Sequence, residues 1–74
     1  MDKNTAIKML KDKYPDLVVS AIVEDDDKFI AQLSRRDNRP IFDGVKAVYK
    51  DTEEIVNVNP MRVKGLVKRL MEAV

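Results

Sequence analysis

The sequence predicts an α+β domain: a four-stranded antiparallel meander with an N-terminal and a C-terminal helix packed on one face, in the order α-β-β-β-β-α. Three observations carry that reading. Short segments between Leu17 and Val58 alternate from residue to residue with the period of two that marks half-buried strands. Both ends of the chain carry apolar residues at helical spacing. Clusters of Asp, Asn, Pro and Gly punctuate the segments as turn formers. The 74 residues make one domain, 1–74, near the lower size limit for independent folding. Its expected stability is about 4–11 kcal/mol.

The first element is a helix over roughly Thr5 to Tyr14. Ala6, Ile7, Leu10 and Tyr14 lie along one side, and Asn4 or Asp2 serves as the N-cap. Pro15 ends it, because proline clashes with the preceding turn. Leu17 to Glu24 is the first strand, with Val19, Ala21 and Val23 on one side and Val18, Ser20 and Ile22 on the other. Lys28 to Arg35 is the second, with Phe29, Ala31 and Leu33 opposite Ile30, Gln32 and Ser34. Asp25-Asp26-Asp27 between them is a tight turn. Arg36 to Asp43 is an irregular connection, rich in turn formers and closed by Gly44.

In the third strand Val45, Ala47 and Tyr49 face the core, which leaves Lys46, Val48 and Lys50 opposite. Asp51 to Glu54 has no glycine and predicts a loop built on type I geometry. Val56 and Val58 continue the core side. Asn59 then caps a helix that Pro60 opens, since its missing N–H would have been unpaired there. Val63, Leu66, Val67, Leu70, Met71 and Val74 form one broad stripe over Met61 to Val74. Gly65 falls on the polar side of this helix, where it weakens the helix by up to about 1 kcal/mol relative to Ala.

Composition excludes several chemistries. There is no Cys and no His, so thiol chemistry, disulfides and the usual zinc sites are absent. Ser20 and Ser34 lie within strands with no obvious base, and Glu53/Glu54 sit in an exposed turn. Gly44 and Gly65 are too far apart to build a phosphate loop. Three adjacent Asp cannot converge on one ion, so Asp25 to Asp27 read as a solvated turn rather than a metal site. The expectation is a non-enzyme without cofactor or metal. No apolar run is long enough to span a membrane, and the N-terminus lacks the apolar core of a signal peptide. These features predict a cytoplasmic protein, and the small size with no Cys or Trp suggests a bacterial or phage source.

Two surfaces remain as candidates. The predicted outer sheet face carries Val18, Ile22, Ile30 and Val48, which invites a partner protein or a homodimer. With Arg35, Arg36, Arg39 and Phe42 of the irregular loop, Val18, Ile30 and Val48 form the candidate partner-binding set. The alternative is nucleic-acid association through Arg35, Arg36, Arg39, Lys64 and Lys68. Against it, the formal net charge is only +1. Asp37 and Asp43 also dilute the loop, and basic residues near a helix C-terminus complement its dipole in any case.

A helix ending in Tyr14-Pro15, a hairpin, and then Ala47-Val48-Tyr49-Lys50-Asp51-Thr52-Glu53-Glu54-Ile55-Val56 resembles the small PepSY-type modules. Their pattern is a helix followed by Pro, paired strands, and a final strand pair around Asp-x-x-Thr-Gly-Glu-Val. The resemblance covers roughly residues 5–58. The chain departs from it in Glu53, where the pattern has Gly, and in its additional C-terminal helix. Small bacterial immunity proteins have a similar strand–turn–strand ending. Either resemblance implies a compact non-enzymatic module that binds or inhibits another protein, such as an inhibitor, immunity or accessory protein.

Overall fold

The computed structural model describes residues 1–37 and 40–73, with 40–43 described in their backbone alone. Helix α1 (Lys3–Lys13) is followed by strands β1 (Leu17–Glu24), β2 (Lys28–Arg35), β3 (Pro40–Tyr49) and β4 (Ile55–Asn57). A 3-10 turn (Pro60–Arg62) leads to helix α2 (Leu66–Glu72). The four strands form one antiparallel sheet in the order β1-β2-β3-β4. The domain is therefore α+β with the predicted order of elements.

Local chemistry explains the boundaries. The Asp2 carboxylate accepts a hydrogen bond from the Thr5 amide at 2.8 Å and caps α1, which satisfies an otherwise orphan donor. That bond holds the Asp2 carboxyl below the usual carboxylate range. At the other end the Tyr14 amide donates to Leu10 O, and Pro15 prevents another turn. β3 begins at Pro40, well before Val45, so the irregular connection is shorter than its turn formers suggest. Pro40 pairs with Ser34 and opens the strand, a position where its missing donor is tolerated.

The helices lie on opposite faces of the sheet, not on one. Ala6 and Leu10 of α1 pack with Ile22, Phe29, Ala31, Leu33 and Val48. Leu66 and Leu70 of α2 pack with Ala21, Ile30, Val45 and Ala47. Each helix needs only two fully buried side chains at i and i+4 to seat on its face. The result is a three-layer domain with a separate apolar cluster on each side of the sheet.

Two register details set these faces. The β1–β2 pairing shifts between Val19 and Ala21, so Ser20 is the extra residue of a β-bulge. The Ser20 hydroxyl donates to Gln32 O at 3.1 Å. As a result Val19 and Ile22 share the α1 side, while Ala21 and Val23 turn to the α2 side. In β3, Val48 is opposite Phe29 and Ala47 is opposite Ile30. Val45 and Ala47 consequently lie on the face away from Phe29. Lys46 lies opposite Ala31 and is buried on the α1 side. Its ammonium donates to Asn57 Oδ1 across β4 and sits 5.4 Å from the centre of the Tyr14 ring.

The C-terminal segment is not one helix. Asn59 Oδ1 accepts from the Met61 amide at 3.0 Å and caps the short 3-10 turn. The chain then turns at Val63 to Leu66, where the Leu66 amide donates to Val63 O at 3.1 Å. Gly65 has φ 76° and ψ 0°, the geometry of the third residue of a type II turn. A side chain is disfavoured there by its own backbone, although a Cβ would meet no other atom within 4 Å. This turn re-aims the chain so that α2 returns across the sheet. Glu53, also at positive φ (61°), closes the β3–β4 loop by donating its amide to Tyr49 O.

Gly65→Ala should destabilise the domain by about 1 kcal/mol in urea unfolding, since alanine is strained at this φ. Were residues 61–74 one helix, the same change would stabilise it by about that amount. The sign of the shift decides between the two. Val48→Lys should abolish cooperative unfolding, because it places an unpaired charge in the α1-side core. Ile30→Ala should cost about 2–5 kcal/mol. A wild-type midpoint for either variant would contradict two-sided burial.

Candidate functional site

The outer apolar face predicted from the sequence does not exist. Ile30 and Val48 are both fully buried, and they lie on opposite sides of the sheet. Ile30 is covered by α2 and Val48 by α1. Their place in the candidate partner-binding set is therefore corrected: both are core residues. Val18 is half-buried and pairs with Ser34.

Arg35 and Arg36 are exposed at the end of β2. With Asp16, Leu17 and Asp37 they line an open depression of about 450 Å³. The Arg36 guanidinium donates to Pro15 O at 3.1 Å, which fastens the α1–β1 turn to the end of β2. Two carboxylates line the same depression, so its field is mixed. Lys64 and Lys68 are exposed and do not line it. Arg39 lies outside the described residues, as does the Phe42 side chain.

The Asp25–Asp27 turn is occupied by internal bonds. Asp27 pairs with Lys28 at 2.9 Å, and the hydrogen bond from that ammonium holds the Asp27 carboxyl below its usual range. The same bond raises the Lys28 ammonium. The Asp25 carboxylate lies 4.0 Å from Arg69 Nη1. Among the described residues, no three carboxylates gather around a common point suited to a metal ion. No helix among them is long and apolar enough to cross a membrane.

The surface that does stand out runs along α2. Leu66 and Leu70 point at the sheet, and Arg69 reaches from one flank of the helix to donate to Glu24 O at 2.8 Å. At 100° per residue, Val67 and Met71 fall on the other flank. There they border the same depression as Pro60 of the 3-10 turn, Gln32 of β2 and Val45 of β3. With Leu70, these residues enclose a groove of about 210 Å³. Its lining is apolar except for the Gln32 amide. Val67 is 45% exposed and Met71 71% exposed, although both sit in the apolar stripe read from the sequence. Met61, next to Pro60, is 85% exposed.

These groove residues were not singled out from the sequence, because a continuous helix would have buried Val67 and Met71. Gly65 was the available signal. A turn at Gly65 leaves only two helical turns, for which Leu66 and Leu70 alone suffice as anchors.

Comparison with protein-family models, curated proteins and solved structures finds no match for the chain.

Replacing Val67 and Met71 together by Ser should change stability by no more than about 1 kcal/mol, since Met71 is largely exposed and Val67 nearly half exposed. Leu70→Ala, one position away, should cost about 2–5 kcal/mol. Parallel urea titrations test this contrast. Equal losses would place Val67 and Met71 in the core and remove the groove as a free surface.

Proposed function

We propose that the protein is a small non-catalytic protein-binding module, of the inhibitor, immunity or accessory kind, that binds through the α2 groove. One observation carries the reading. Apart from Met1, the exposed large apolar side chains among the described residues all fall between Val56 and Met71. Folding does not require their exposure, since each face of the sheet has its own covering helix. Isolated exposed apolar residues are ordinary, but a run of them along one segment, two of which (Val67 and Met71) line an open groove, supports a contact surface there. Methionine suits such a surface because its flexible, polarisable side chain adapts to a partner.

The resemblance to PepSY-type modules points the same way. Position 53, where their pattern has glycine, takes a positive φ in this chain. That is a conformation glycine adopts without strain.

The test is affinity capture from the source organism with three baits: wild type, Val67→Ser/Met71→Glu, and Arg35→Ala/Arg36→Ala. A protein retained by wild type is then purified, and its affinity for each bait is measured by calorimetry. The α2 double variant is expected to bind at least about tenfold more weakly, a difference of about 1.4 kcal/mol. The arginine variant should bind like wild type. Undiminished binding to the α2 variant, or loss only in the arginine variant, would displace the site from this groove.

A further inference from the structure

We infer that the α2 groove receives one bulky apolar side chain from an acidic segment of a partner protein. The inference rests on the protein-binding reading above and adds the chemistry of the partner. Size is the first argument. A groove of about 210 Å³ is smaller than the roughly 300–1,000 Å³ of pockets that enclose drug-sized ligands or cofactors. It suits a single side chain. Lining is the second. Val45, Pro60, Val67, Leu70 and Met71 offer only apolar contact, and the half-buried Gln32 supplies one amide that can hydrogen-bond a bound backbone.

Charge is the third argument, and it selects the partner. Residues 60–73 carry Arg62, Lys64, Lys68 and Arg69 against Glu72 alone. Arg69 is engaged internally, with Glu24 O and near Asp25. Among the described residues Arg62, Lys64 and Lys68 form no ion pair or hydrogen bond through their side chains. All three are exposed on the segment that builds the groove wall. A symmetric contact between two copies of this face would bring those cations together, since a twofold interface apposes the same patch on both chains. Like-charge apposition disfavours a second copy as occupant, whereas an acidic segment gains from the same field.

The experiment is an NMR titration of the full chain, labelled with 15N and at its methionine methyls. The probes are an acidic heptapeptide with a central phenylalanine (DEEFDEE), its serine counterpart (DEESDEE) and a basic counterpart (KRRFKRR). The acidic phenylalanine peptide should give saturable shifts below millimolar concentration. They should centre on the amides of Gln32, Val45 and Val67 and on the Met71 methyl, and weaken several-fold between low and high salt. Lys64→Glu/Lys68→Glu should weaken binding by about tenfold or more while leaving the rest of the spectrum in place.

Equal binding of the basic peptide, or of the serine peptide, would overturn the acidic-anchor chemistry, as would no saturable groove shift at millimolar peptide. Groove shifts produced by raising the protein concentration alone would also overturn it, in favour of self-association. In each of these cases the protein-binding reading still stands or falls on the capture experiment, which does not depend on partner charge.

Discussion

Phe29 and Ile30 are neighbours in β2, and each is buried on a different side of the same sheet. Consecutive strand residues point to opposite faces, so a central strand with large apolar residues at both positions must be covered twice. This constraint organises the molecule. The chain has one helix before the meander and one after it, and each becomes the lid of one face. A helix of two turns suffices for α2 because its task is confined to Ala21, Ile30, Val45 and Ala47. Of these, Ala21 and Ala47 present only a methyl group, so a helix can approach closely there and Leu66 and Leu70 can fill the space.

The same division leaves the groove. With α2 anchored through Leu66 and Leu70, and held on one flank by Arg69 at the β1–β2 turn, the opposite flank has no further layer to pack against among the described residues. Val67 and Met71 occupy that flank, and the 3-10 turn at Pro60 forms the facing wall. The exposure of these side chains follows from where the helix is pinned. The exposed cations belong to the same segment, because the turn that re-aims the chain carries Lys64 and the solvent side of α2 carries Lys68.

Much of the fold was legible in the residues. The Pro15 stop, a cap at Asp2 or Asn4, the acidic turn between β1 and β2, and the Asn59 cap each act through contacts with near neighbours in the chain. Such local chemistry can be read without knowing the rest of the structure. The candidate site was less legible. The alternation in each strand alone makes Val48 and Ile30 companions on one outer face, because it puts Val45 and Ala47 on the same side as Phe29. The actual pairing sets Val48 opposite Phe29, and a shift of one residue moves every side chain of a strand to the other face. Ser20 adds a second inversion within β1, since a bulge interrupts the alternation on which such a reading depends. Gly65 was visible as an anomaly in a helix, but its role as the hinge of a turn depends on where the sheet requires α2 to lie.

The sequence by itself determined the α+β class, the order of elements, most of their boundaries and the lack of His and Cys chemistry. Those properties depend on composition, on periodicity and on interactions within a few residues. Only the tertiary structure decided which face each strand residue takes, that the two helices cover opposite sides, and that Val67 and Met71 border an open groove instead of filling a core. These are set by cross-strand register and by the direction of the chain after Gly65. Both depend on contacts between residues far apart in sequence, which no local pattern encodes.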